Sequence, residues 1–160
     1  MRNSLLLILA AFVSLSLHAQ SIPDVKVEDA AGKTVTLRSL VDGKSPFVIT
    51  FWASWCKPCL RELAALEEAA PDWAGKYPLR IYAVSVDDSR SIAAAKALAA
   101  ASDWPVTVLF DTKQALKQAF KISSIPHVFV FDKDGKQVWT HMGYVPGAEE
   151  TLLQKVLDTE

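Results

Sequence analysis

The chain is poor in cysteine, with two in 160 residues, and poor in histidine, with three. Two thiols cannot build a disulfide-rich scaffold or a four-cysteine zinc site, which leaves one disulfide, one dithiol, or two unrelated buried thiols. An excess of positive charge is also missing. The 17 Lys+Arg against 18 Asp+Glu give a net charge of −1, so no basic field is available for a phosphate backbone, and no nucleic-acid partner is expected. The sequence contains no internal repeat and no low-complexity linker, and its 51% hydrophobic content excludes a disordered chain. The composition fits one ordinary globular domain.

Arg2 and Asn3 precede an apolar run over residues 5–17, broken only by Ser14 and Ser16, and Leu17-His18-Ala19 ends in a small residue suited to cleavage. The run falls short of the about 20 residues a spanning helix needs. Residues 1–19 therefore read as a cleaved signal peptide, with an uncleaved anchor as the alternative, and residues 20–160 as the domain. No cysteine lies near the cleavage point, which excludes a lipoprotein anchor. Export to the periplasm or another extracytoplasmic space would place both cysteines where disulfides persist, so the pair is either a structural bridge or a redox centre.

Val25, Val27, Val35 and Leu37 alternate around Ala30-Ala31-Gly32-Lys33, which reads as a β-hairpin followed by a helical turn over 38–41. Residues 47–52 (FVITFW) are a continuous apolar and β-branched run, expected of a strand buried on both faces. A helical pattern of Leu60, Leu63, Leu66 and Ala70 follows, ended by Pro71 or by Gly75. Residues 79–86 alternate as a strand, and Asp87-Asp88-Ser89 is expected to cap an alanine-rich helix over 90–101. Strands over 106–110 and 128–131 flank a short helix over 112–120. Asp134-Gly135 turns the chain into a last strand over 137–141, and residues 148–157 form a closing amphipathic helix. Strands alternating with helices, then a hairpin and a helix, argue an α/β fold with a mixed sheet covered on both faces.

The chemistry sits at Trp55 to Cys59. Cys56-Lys57-Pro58-Cys59 follows the buried strand by three residues and opens the helix. Free backbone N–H groups and the positive end of the helix dipole converge there and favour thiolate over thiol. The pKa of Cys56 should therefore fall below the roughly 8.5 of a free cysteine. Lys57 adds a neighbouring cation, and Pro58 falls in the first helical turn, where its missing N–H costs no bond. A structural disulfide over three residues would close a loop too small to remove much chain entropy. A metal site would need further ligands, for which the mature chain offers His127 and His141.

Phe51-Trp52-Ala53-Ser54-Trp55-Cys56-Lys57-Pro58-Cys59 resembles the active-site segment of the thioredoxin superfamily, and Ser124-Ile125-Pro126 is similar to that family's cis-proline loop. The signal segment and Cys59-Leu60-Arg61-Glu62 narrow the resemblance to the TlpA/ResA-like extracytoplasmic thiol-disulfide oxidoreductases. The resemblance spans the mature chain. It implies a thioredoxin-like fold with an N-terminal β-hairpin and a βα insertion, which residues 79–120 would supply. It also implies that Cys56 is the exposed attacking thiol, that Cys59 is the buried resolving thiol, and that Pro126 is cis. Ile125 and Pro126, with Trp55 beside the sulfur, would bind substrate, and Lys57 and Pro58 would tune the redox pair. Thioredoxin's buried Asp is replaced here by Thr50, whereas Glu62 matches an acidic residue of the ResA branch and is assigned to tuning the thiols or relaying a proton. The alternative for Glu62 is a surface residue paired with Arg61 or another basic neighbour.

The expected reaction is attack of the Cys56 thiolate on a substrate disulfide, then attack of Cys59 on Cys56. The resemblance implies a monomeric reductant supplied by a membrane-bound electron donor and acting on exported proteins, apocytochrome c among them, with no cofactor and no metal. No flavin or nicotinamide fingerprint is present. A peroxiredoxin would need Thr or Ser and Pro where Ala53 and Ile49 stand. The alternative from another class is a copper-binding chaperone using Cys56, Cys59 and a histidine such as His127. Otherwise His127 reads as an ordinary sheet residue, and Trp73, Trp104 and Trp139 as packing groups. Gly143 resembles a position where the family turns toward its final helix.

Overall fold

Every side chain of β3 (Phe47–Trp52) is buried, as a strand without a polar face requires. The computed structural model places it in a seven-stranded mixed sheet and describes residues 22–73, 76–77 and 79–159; residues 1–19, read from the sequence as a signal peptide, and Gly75 lie outside these. On one side β3 pairs in parallel with β4 (Arg80–Ser85), and β4 in parallel with β5 (Thr107–Phe110). On its other side lies antiparallel β6 (His127–Phe131), followed by antiparallel β7 (Gln137–Met142). The hairpin of β1 (Lys26–Asp29) and β2 (Thr34–Thr36) extends the sheet by pairing β1 antiparallel to β5. The strand order is thus β2-β1-β5-β4-β3-β6-β7. The mixed sheet, hairpin and βα insertion expected from the sequence are all present.

Register sorts the side chains into two faces. Thr50 and Trp52 of β3 stand level with Ala83 and Ser85 of β4, and Thr50 with Val128 of β6, so these share a face. Against that face lie α1 (Lys57–Trp73), α2 (Ile92–Ala101) and α4 (Ala148–Leu157). Thr50 bonds to Glu62 of α1, Lys96 of α2 sits over the Phe110 ring, and Leu152 of α4 meets Val128 across a small cavity. The β3-α1-β4 and β4-α2-β5 crossovers run the same way along the sheet, so a common right hand puts both helices on one face. The opposite face is aromatic. Phe51, Phe129 and Phe131 pack on Phe120, which follows α3 (Ala115–Ala119), and Arg80 caps the Phe47 ring beside the 3-10 turn Leu37–Leu40.

Helix α1 runs through Pro71 to Trp73, within the alternative that ends it by Gly75, because a proline in the last turn forfeits one bond without ending the helix before it. Two boundaries differ from the sequence reading. Residues 87–89 do not cap a helix starting at 90. Helix α2 begins at Ile92 behind Ser91, which makes no side-chain cap, and the Asp88 carboxylate instead accepts the Arg90 N–H and pairs with its guanidinium. Helix α3 is shorter than residues 112–120, since Gln114 adopts a left-handed conformation and the Asp111 carboxylate reaches past it to accept the Lys117 N–H. Gly135, by contrast, turns β6 into β7 as expected: its φ is +79°, and a Cβ there would stand 2.8 Å from a Val41 methyl.

Candidate active site

After β3 the chain makes a tight turn in which the Cys56 N–H donates to Ala53 O at 3.0 Å. Leu60 N–H then donates to Cys56 O at 3.1 Å, so Cys56 stands just before the helix and its carbonyl accepts the first helical bond. The Cys59 N–H donates to Cys56 Sγ at 3.3 Å. The sulfur therefore occupies the place of a helix-capping oxygen, where the helix dipole stabilises negative charge once the pair is reduced. Cys56 and Cys59 are joined in a disulfide with their Cα atoms 5.3 Å apart. Pro58 is the second helical residue, where no N–H is needed, and Lys57 is exposed.

Cys56 is less open than the family resemblance implies. It is 5% exposed against 0% for Cys59, because its sulfur folds inward over the first turn of α1. Trp55 beside it projects outward and is 64% exposed. The Ile125-Pro126 peptide bond is cis, with Pro126 buried and Ile125 half-buried. Trp55 and Ile125 line one groove of about 250 Å³, with Val86, Lys117, Ile122 and Ser124. Gly143, whose φ is +83°, donates its N–H to Pro126 O at 2.8 Å and so ties the end of β7 to the proline loop.

Glu62 is not a surface partner of Arg61. It is 6% exposed and accepts a hydrogen bond from Thr50 Oγ1 at 2.6 Å. Burial pushes its carboxyl up to about 7, with the Thr50 bond pulling the other way. Cys59 lies three residues earlier on the same helix, so the two buried side chains share a face. The Thr50 position, which lacks the acid of thioredoxin, thus receives one from the helix above it.

Asp87 was missed in the sequence because it reads as half of an acidic helix cap. It is fully buried, and its carboxylate accepts the Ser54 N–H at 2.9 Å, the Ser54 hydroxyl at 2.7 Å and the Ser85 hydroxyl at 2.8 Å. These bonds clamp the turn that presents Cys56 to the end of β4. The available signal was position: Asp87 follows a buried strand at the same end of the sheet as the cysteine turn.

Residues 19–139 match the AhpC/TSA family. The chain belongs to this family. It is 31% identical over 135 residues to the thiol-disulfide oxidoreductase ResA of Bacillus cereus, covering 84% of this chain and 75% of that protein. Among solved structures, a thioredoxin-like protein from Porphyromonas gingivalis aligns with a TM-score of 0.75 at 40% identity, over 88% of this chain and 92% of that one. The exposed lipoprotein thioredoxin Etrx1 of Streptococcus pneumoniae strain TIGR4 aligns with a TM-score of 0.66 at 28% identity, over 85% and 99%. This protein is a thioredoxin-like thiol-disulfide oxidoreductase of the TlpA/ResA type, and the Cys56–Cys59 pair is its redox centre.

The remaining candidate residues of this oxidoreductase fall away from the sulfurs or into packing. His127 Nε2 lies 3.0 Å from Thr140 Oγ1, which itself donates to Val128 O, so the imidazole is assigned as the Nε2–H donor. Its ring stacks on Phe129, and burial, then the neighbouring His141, lower its pKa. Such an imidazole is engaged in the sheet, as expected of a sheet residue. Trp104 packs edge-on against buried Trp52, and Trp139 stacks on His141.

Proposed function

We propose that this oxidoreductase is exported, with residues 1–19 as its signal peptide and residues 20–160 as its working domain, and that it reduces disulfides of exported proteins through a mixed disulfide on Cys56. The observation that carries this reading is the thiol pair at the start of α1 with Glu62 buried one turn further on. With the pair reduced, the Cys56 thiolate attacks a substrate sulfur, and the partner sulfur leaves with the electron pair. Cys59 then gives its proton to the Glu62 carboxylate and attacks Cys56 Sγ. The second substrate sulfur leaves, and the Cys56–Cys59 bond remains. A group near 7 is suited to accept and return a proton at neutral pH.

Trp55, Ile125 and Pro126 would receive an extended segment of the substrate along the groove beside the sulfurs, and Lys57 and Pro58 would set the balance between thiol and disulfide. Regeneration calls for a membrane-bound dithiol donor, and apocytochrome c is one substrate of the required kind. The test is a trap. Cys59→Ser should accumulate a covalent adduct with a disulfide-bonded protein substrate, resolved by mass and released by dithiothreitol, whereas Cys56→Ser should form none. Adduct formation through Cys59 in Cys56→Ser would reverse the assigned roles.

A further inference from the structure

Behind Glu62 lies a small cavity that the thiol chemistry does not account for. It has a volume of about 20 Å³, room for one water, and Glu62, His141 and Glu149 supply its polar lining among Leu66, Val128 and Trp139. Thr50, Val128 and His141 stand level on β3, β6 and β7, so a single row of residues leads from beneath Glu62 to exposed His141 at the sheet edge. Glu149 enters from the first turn of α4. Its Oε2 is buried and has no hydrogen-bond partner among the described residues. A place in the first turn of a helix explains a negative charge there, but not an oxygen buried without a partner, which costs about 1–3 kcal/mol.

We propose that Glu62 and Glu149 form one carboxyl pair bridged by a water in this cavity, and that Glu149 thereby positions the proton Glu62 exchanges with Cys59. This rests on the reading of Glu62 as the proton acceptor. The water finds the two or more polar partners it needs in Glu62, Glu149 and the His141 imidazole. Thr50 of β3 also faces Glu62, and Tyr144, from the segment after β7, lies within electrostatic reach of both acids and of Arg61 and Glu68 of α1. Tyr144 senses both acids: burial, then the charges of Glu149 and Glu62, raise its hydroxyl. When Cys59 Sγ–H gives its proton to Glu62, the pair holds one proton more. That proton leaves by way of the water toward Glu149 and His141, while the Cys59 electron pair forms the bond to Cys56 Sγ and the substrate sulfur departs as thiolate. Negative charge on Glu149 across the water would oppose ionisation of Glu62.

The experiment is a ¹³C NMR titration of the glutamate side-chain carboxyls in the oxidised protein and in the Glu149→Gln and Glu62→Gln variants, with Glu149→Ala as a second variant should Gln perturb the fold. Alongside it, the pH profile of thiol release from a Cys56–aryl mixed disulfide is recorded. Glu149→Gln should move the Glu62 midpoint toward acid by at least about half a pH unit. On the acid limb thiol release should then be about threefold faster in Glu149→Gln, as half a pH unit requires. A Glu62 midpoint unmoved by both Glu149 variants would overturn the pairing and leave Glu62 its role. Thiol release with an unchanged rate and pH profile in Glu62→Gln would instead overturn the reading beneath it.

Discussion

Replacing Glu62 by Gln should make the protein more stable at pH 8 and leave it nearly unchanged at pH 4. Glutamine keeps the shape, and its carbonyl can accept the Thr50 hydroxyl as Glu62 does. Below pH 4.5 Glu62 is protonated in both the folded and the unfolded chain, so the two proteins should agree within about 1 kcal/mol. As pH rises, the unfolded chain releases its proton from 4.5 upward, while the folded chain holds it until about 7. Across this window the unfolded state binds fewer protons than the native state, and wild-type stability falls at about 1.4 kcal/mol per pH unit. The gap from 4.5 to about 7 corresponds to about 3 kcal/mol, lost fully by pH 8 in the wild type and not at all in Glu62→Gln. Urea unfolding of both oxidised proteins at pH 4, 6 and 8 reads the difference directly, because the other titrating groups are common to both. A difference that stays constant from pH 4 to 8 would refute the reasoning, since it would mean that Glu62 ionises as easily in the fold as out of it.

Removing the clamp on the cysteine turn should be costly. Asp87→Ala is expected to lower stability by about 3 kcal/mol in urea unfolding, since it strands the Ser54 N–H and two hydroxyls, whereas Ser54→Ala should cost about 1 kcal/mol. Trp55→Ala should change stability by less than about 0.5 kcal/mol, because the ring is exposed, yet slow insulin reduction more than reduction of a small aryl disulfide. His127 disfavours its charged form in the fold, so its own contribution to stability, opposite in sign to that of Glu62, falls as pH drops below 6.5, and the stability of His127→Gln relative to the wild type should rise in thermal unfolding from pH 7 to 5. An unchanged acid limb would count against a buried neutral imidazole.

The strands were legible where composition left one choice. FVITFW has no polar face to offer water, so residues 47–52 had to be central, and the leucines and Val156 of residues 148–157 likewise define one buried stripe. The cysteine turn was legible because a thiol pair between a buried strand and a helix serves a recognisable chemistry. The acids were harder. Asp87 and Asp88 are identical in sequence terms, yet one is fully buried against Ser54 and the other closes an exposed turn with Arg90. Which of two adjacent acids points inward depends on the strand register that delivers them, and that register involves β3 and β5, distant in sequence. Glu149 was invisible for the same reason: its buried oxygen exists only because α4 returns to the face that holds Glu62.

The most direct test of the redox assignment is equilibration of residues 20–160 against glutathione and dithiothreitol buffers, with alkylation and mass readout of Cys56 and Cys59. We expect one two-electron transition involving both cysteines, with a potential near the about −270 mV of thioredoxin, as a reductant requires. A potential near the about −120 mV of DsbA would contradict the reductant reading, and a pair that does not cycle would contradict the redox centre itself.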